Sequence, residues 1–257
     1  MANSVLAAQL YTCRDFTKDI SGVADVLRKM KDIGYEAVQV SGFGPVDPKE
    51  VAKIANDLGV TICATHMSWN AFLQDLDTVI ETHKLWNCIH TAIGGVFDEA
   101  YYSADGVKRF LDELAPIAEK LAAEGMDFSY HNHSHELVKY RGKTWLEMLY
   151  DVCFPKQPTA EIDTYWITHG GGDPAAWIKK CAGREPLLHL KDMCITTTRE
   201  QRFAEIGEGN LNWPAILKAA KAGGVEWYII EQDSCYERSP FESLEISFNN
   251  LKAMGLS

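Results

Sequence analysis

The sequence predicts an α/β fold, a single closed (β/α)8 barrel running over residues 1–257, and three observations predict it. Short apolar runs of strand length alternate with longer runs whose apolar positions recur at three and four, and the alternation repeats eight times. The chain is 257 residues long, which matches the roughly 250 residues that such a barrel uses. No Gly-x-Gly-x-x-Gly follows the first apolar run, so the competing open, doubly wound sheet lacks its dinucleotide cradle.

The units follow in order. A strand over 5–10 leads to a helix over 20–33, where Val23, Val26, Leu27, Met30 and Ile33 form the apolar stripe and Gly34 closes the last turn. A strand over 37–40 precedes a helix over 48–58 that Gly59 ends. The third and fourth units pair strands 60–64 and 89–93 with helices 73–85 and 104–123, the latter followed by Gly125. The fifth and sixth pair strands 128–130 and 160–162 with helices 145–153 and 174–181. Strand 186–190 leads to helix 214–222, stopped at Gly223, and strand 227–230 to a closing helix over 241–254. Gly170-Gly171-Gly172-Asp173 reads as a tight entry into the sixth helix, with Asp173 as N-cap and Pro174 at the first helical position; a phosphate site there is the alternative.

Composition narrows the function. A formal net charge of −11 argues against a polyanionic partner such as nucleic acid. No stretch approaches the roughly 18 apolar residues of a membrane span, and the N-terminus lacks a charged-then-apolar signal pattern. Seven cysteines without paired short spacings suit free thiols in a reducing compartment, so the expected location is cytoplasmic.

The chemistry gathers where apolar runs end. Strand five runs into His131, His133 and Glu136, strand six ends in Glu161 and Asp163, strand seven gives His189 and Lys191, and strand eight ends in Glu231. These ends form the catalytic face of a barrel. Residues two apart on a strand share a face, so Glu161 with Asp163, and His189 with Lys191, point the same way. Unpaired charge is costly to bury, whereas a shared divalent cation stabilises several such groups together, and the chain reads as a metalloenzyme. Plainer explanations exist: Asp163 suits the cap of a following turn, and Glu231 suits an ion pair with Lys191. Spacing alone does not choose between Glu136 and a strand-five histidine as ligand. On the opposite side, Gln39 with Ser41 and Thr65 with His66 suit hydroxyl recognition, while Tyr11, Trp69, Phe72, Tyr165 and Trp166 offer rings to stack on a sugar.

The set Tyr130-His131-Asn132-His133 with Glu136, Asp163-Thr164, His189-Leu190-Lys191-Asp192, Gly207-Glu208-Gly209 with Leu211-Asn212-Trp213, and Glu231 resembles the xylose isomerase-like (AP endonuclease family 2) TIM barrels along essentially the whole chain. The resemblance implies one divalent metal, manganese first and magnesium, cobalt or zinc as alternatives, held by Glu136, Asp163, His189 and Glu231. One departure stands out: many members place the first glutamate within strand five, followed by Asn, where this chain has His131-Asn132. Members include ketose epimerases and isomerases, inosose and dehydroshikimate dehydratases, and lyase-like subunits that split oxidised glycosides.

The implied chemistry is proton abstraction next to a carbonyl of a sugar or cyclitol, sometimes phosphorylated. The expected activity is isomerase or epimerase, with Glu136 and Glu231 as the two bases. A lyase or dehydratase, using His131, His133 or Lys191 as acid, is the runner-up, and a non-catalytic sugar-binding protein represents a different class. A homo-oligomer or a partner subunit fits either. A repair nuclease of this fold would want further metal-binding histidines and a basic face.

Overall fold

Each barrel strand is short and almost wholly buried, as a strand covered on both faces is. The computed structural model describes residues 5–152 and 158–256. Eight strands, β1 (Val5–Gln9), β2 (Ala37–Val40), β3 (Thr61–His66), β4 (His90–Ile93), β5 (Asp127–His131), β6 (Thr159–Asp163), β7 (Leu187–Leu190) and β8 (Trp227–Ile230), pair in parallel and in sequence, and β8 pairs back onto β1 to close the barrel. The main helices that return the chain are α1 (Ile20–Ile33), α2 (Pro48–Leu58), α3 (Leu76–Leu85), α4 (Ala104–Ala123), α5 (Trp145–Val152), α6 (Pro174–Lys180), α7 (Trp213–Gly223) and α8 (Pro240–Ala253).

Capping chemistry explains why several boundaries are legible. Asp19 accepts the Gly22 amide at the start of α1, and Gly34 ends it at φ +119°, a conformation that side chains other than glycine resist. Asp47 and Pro48 open α2, and Gly59 closes it at φ +64°. Val23, Val26, Leu27 and Met30 of α1 are each at most 1% exposed. Burying such side chains stabilises by about 1.5–3 kcal/mol apiece.

Three boundary differences have a visible cause. The first strand stops at Gln9, whose side chain accepts the Tyr11 amide and starts a 3-10 turn over Leu10–Phe16. Asp75 leaves helical geometry at φ −147°, which splits the predicted helix 73–85 into Trp69–Gln74 and α3. Gly223 stays helical, and Gly224 at φ +81° is the left-handed cap. The fifth helix was predicted to Cys153, which lies outside the described residues. Cys13, Cys63, Cys88, Cys181, Cys194 and Cys235 are free thiols, and burial pushes Cys13, Cys88 and Cys181 up to about 12. Among the described residues no helix is long and apolar enough to cross a membrane.

The barrel interior is layered by strand alternation. Ala7, Ala37, Ala64, Leu187 and Ile229 pack together as an apolar layer. Two residues further on, the same faces carry Gln9, Gln39, His66, His189 and Glu231. One step along the strands thus changes an apolar plug into a buried polar layer at the C-terminal mouth.

Candidate active site

That polar layer is tied together by short contacts. His189, near the end of β7, lies among three carboxylates. Its Nδ1 is 3.0 Å from Glu231 Oε2 and 3.9 Å from Asp163 Oδ2, while its Nε2 is 3.2 Å from Glu161 Oε1. His131 Nε2, from β5, is 3.3 Å from Asp163 Oδ2. His131, Asp163, His189 and Glu231 each offer a ligand atom within 4.8 Å of the others, and all four are buried. Asp163 also caps the short helix Thr164–His169, its Oδ1 accepting the Trp166 amide at 2.8 Å. Its two oxygens therefore divide the labour.

Beneath this group Glu161, His66, Gln39 and Gln9 form a hydrogen-bonded layer that holds it in place. Glu161 Oε2 is 2.7 Å from His66 Nε2, Gln39 Nε2 donates to Glu161 Oε1 at 2.7 Å, and Gln9 Nε2 donates to Gln39 Oε1 at 2.6 Å. A carboxylate on the far nitrogen of a ligating histidine fixes ring orientation and raises basicity. His66, Glu161 and His189 also lie within 4.8 Å of one another, although their hydrogen bonds already account for that closeness.

Lys191 is the cation of the site. Only 1% exposed, its Nζ sits 2.8 Å from Glu231 Oε2, 3.2 Å from Asp163 Oδ2 and 3.1 Å from Asp233 Oδ2. Burial opposes its charge, but the three carboxylates more than offset that and hold it above the ordinary lysine value. Burial likewise opposes the charge on Glu231, yet Lys191 and His189 draw it well below the usual carboxylate range. For His189, burial is outweighed by Glu161 and Glu231, which raise it to about 10. His131 moves the other way, down to about 4, because burial and the His189 charge both disfavour a proton.

The residues present fit a divalent metal. His131 is a buried neutral imidazole whose Nδ1 finds no partner among the described residues. Two carboxylates and two imidazoles form a mixed oxygen and nitrogen donor set that suits manganese, iron, cobalt or zinc better than calcium. A cation there would share Asp163 and Glu231 with the Lys191 ammonium.

The structure does not bring Glu136 to this group. It lies past the end of β5 in the 3-10 turn His135–Leu137, where it accepts the Tyr130 hydroxyl and the His133 amide, each at 2.9 Å. A Cβ on Gly95 would lie 3.6 Å from its Oε1. Burial lifts Glu136 to about 7, and its contacts are with Tyr130, His133 and His135 rather than with the buried group. His131 takes the fourth place that Glu136 was expected to fill.

A cavity of about 580 Å³ opens above the polar layer. His66, His131, His133, Trp166, Lys191 and Glu231 line it, as expected of a substrate site. Gln39 does not, because Glu161, Gln9 and His189 engage its amide below the floor. Tyr165 is 4% exposed and stacks on Phe203 at 4.2 Å, outside the lining. Trp69 donates to the Tyr101 hydroxyl at 3.2 Å and lines a neighbouring cavity. Phe72 is core, and the glycines 170 and 172 pack on Leu137 and Ile167 rather than facing the cavity.

Sequence reasoning missed Asp233, Phe97 and Phe203. Asp233 was findable, since it follows Glu231 by the same two-residue step that links His189 to Lys191. Phe203 arrives on the hairpin Asp192–Ile195/Gln201–Ala204, whose position no local pattern announces.

Comparison with known proteins agrees with the barrel. Inosose dehydratase of Geobacillus kaustophilus (strain HTA426) is 23% identical over 265 residues, covering 84% of this chain and 83% of that protein. A crystal structure of a sugar phosphate isomerase/epimerase from Parabacteroides distasonis ATCC 8503 superposes with a TM-score of 0.83 at 21% identity, covering 100% of this chain and 96% of the other. The structure of L-ribulose 3-epimerase gives 0.74 at 17% identity, with 98% and 94% covered. Residues 27–252 match the family described as xylose isomerase-like TIM barrel. With the match spanning most of the chain and the closed parallel barrel beneath it, this protein belongs to the xylose isomerase-like TIM barrel family.

Proposed function

We propose that this protein is a metal-assisted isomerase or epimerase that abstracts the proton next to the carbonyl of a sugar or cyclitol. The observation that carries the reading is the set of four buried donors, His131, Asp163, His189 and Glu231, gathered within 4.8 Å under a cavity of about 580 Å³. A divalent cation bound there supplies Lewis-acid polarisation of a carbonyl oxygen.

The chain's own residues supply the rest. Glu231 faces the cavity as a carboxylate, kept ionised by Lys191, and is the base. Lys191 lies beside it and stabilises negative charge growing on the substrate oxygens. His66, which enters the same cavity from β3, stands where a second proton donor is needed, with Glu161 fixing its ring at 2.7 Å. The second acid/base of an epimerase is thus an imidazole, since Glu136 neither joins the buried group nor lines the cavity.

That substitution favours a second reading. A lyase or dehydratase needs one base and one acid for the leaving oxygen, and Glu231 beside the imidazoles of His66, His131 and His133 in the cavity lining meets that need directly. Incubation with ketoses and inososes in deuterated water, read by NMR, tests both readings. Deuterium entering next to the carbonyl supports proton abstraction, and an unsaturated product marks the lyase. Glu231→Gln is expected to lower either rate by about 10² to 10⁴-fold. Wild-type turnover with full deuterium uptake in that variant removes Glu231 as the base.

A further inference from the structure

Two of the four buried donors already hold a cation that the chain itself supplies. Lys191 Nζ lies 2.8 Å from Glu231 Oε2 and 3.2 Å from Asp163 Oδ2. The same two oxygens face the imidazoles, Glu231 Oε2 at 3.0 Å from His189 Nδ1 and Asp163 Oδ2 at 3.3 Å from His131 Nε2. The other Asp163 oxygen is committed to the Trp166 amide. The oxygens that suit a divalent ion are therefore the ones that hold the ammonium. Two cations do not share one pair of buried carboxylate oxygens at close range, because their charges repel strongly where little water screens them.

The third partner of Lys191 differs from the other two. Asp233 meets Nζ with both oxygens, at 3.2 and 3.1 Å, and stands outside the four-donor group. Its side chain is 22% exposed, against 0% for Asp163 and 5% for Glu231, so this contact lies toward the cavity that Asp233 lines. Trp166 and Phe203 line the same cavity and present their rings to the ammonium, with centroids 5.6 and 5.7 Å from Nζ. A carboxylate and two ring faces make a second berth for an ammonium. The flexible stem of a lysine carries its head between such positions without moving the backbone.

We infer that Lys191 is the resident counter-ion of the metal site and gives up Asp163 and Glu231 when a divalent cation enters, its ammonium being received at the cavity wall by Asp233, Trp166 and Phe203. The inference rests on the proposed function, since it takes the same four donors as the metal site. It adds an order of assembly: the ammonium is free to meet the substrate oxygens only after the metal is in place. Asp233 is accordingly a positioning residue that acts on the substrate through Lys191.

Calorimetric titration of manganese into the purified full chain and into its Lys191→Met variant, with crystal structures of the wild-type protein before and after manganese soaking, tests it. The variant is expected to bind manganese at least about 10-fold more tightly, since a competing positive charge is gone from the same oxygens. A lysine that merely braced the site would give the opposite, a weaker affinity in the variant. In the soaked wild-type crystal Nζ is expected beyond hydrogen-bond distance of Glu231 Oε2 and Asp163 Oδ2 and still on Asp233. Equal or weaker binding by Lys191→Met, or an ammonium still bridging Asp163 and Glu231 beside a bound ion, overturns the inference and leaves the metal reading standing. No manganese binding by either protein removes the metal reading itself, and the inference with it.

Discussion

Replacing Lys191 by Met tests how the buried site is held together. Methionine keeps most of the side-chain volume and removes an ammonium that lies within 3.2 Å of Asp163, Glu231 and Asp233. Breaking a buried pair by deleting one partner costs about 3–5 kcal/mol, because the other charge is left uncompensated. At about 2–4 °C per kcal/mol for a chain of this size class, the melting temperature is expected to fall by roughly 6–20 °C. The carboxylates can take up protons instead, so the loss should be larger at pH 8 than at pH 5. A divalent cation sharing Asp163 and Glu231 should restore much of it, since binding to the native state alone stabilises by mass action. Differential scanning calorimetry at both pH values, with and without manganese, reads all three effects. A variant that melts within about 1 °C of the parent at pH 8, where ~1 kcal/mol would already show, refutes the idea that Lys191 neutralises this cluster.

Two further perturbations reach different parts of the barrel. Glu161→Gln keeps the shape beneath His189 but removes the charge facing its Nε2, and should weaken manganese affinity by about 10- to 100-fold in calorimetric titration; unchanged affinity would detach Glu161 from the site. Glu185 is 2% exposed and has no ion pair among the described residues, and burial outweighs the Ile162 amide to raise its pKa well above the ordinary value. Neutral when folded and ionised when unfolded, it removes stability as pH rises through the unfolded value, by about 1.4 kcal/mol per unit until the folded value is reached. Glu185→Gln should therefore be more stable than the parent at pH 7 and differ little at pH 4 in urea unfolding; equal stability at both would contradict that assignment.

The barrel was legible because its signals are local. Asp19 with Gly34, and Asp47-Pro48 with Gly59, mark helix ends by hydrogen bonds made within one turn. Asp163, His189 and Glu231 were legible for a related reason: a period of two sends strand-end residues inward together, whatever the loops do. Glu136 misled because it lies beyond the strand, where the turn His135–Leu137 carries it behind Gly95. Spacing left a strand-five histidine open, and His131 is the residue that alternation does place. Of the aromatic rim, Tyr11 and Trp166 were legible, whereas Phe97 and Phe203 were not, since loops set them. Phe203 depends on Asp192, whose carboxylate accepts the amides of Gly207 and Gly209 at 2.9 and 3.1 Å and the Trp213 indole at 2.7 Å, fixing the return of the hairpin. Gly209 is required there, because a Cβ would lie 2.3 Å from Asp192 Oδ1.

Anomalous diffraction from crystals of the full chain soaked in manganese tests the central claim most directly. The account predicts one strong peak at the C-terminal mouth, within bonding distance of His131, Asp163, His189 and Glu231, with Glu136 still bound to the Tyr130 hydroxyl. A peak ligated by Glu136 in place of His131, or only ordered water between those four side chains at saturating manganese, would contradict it.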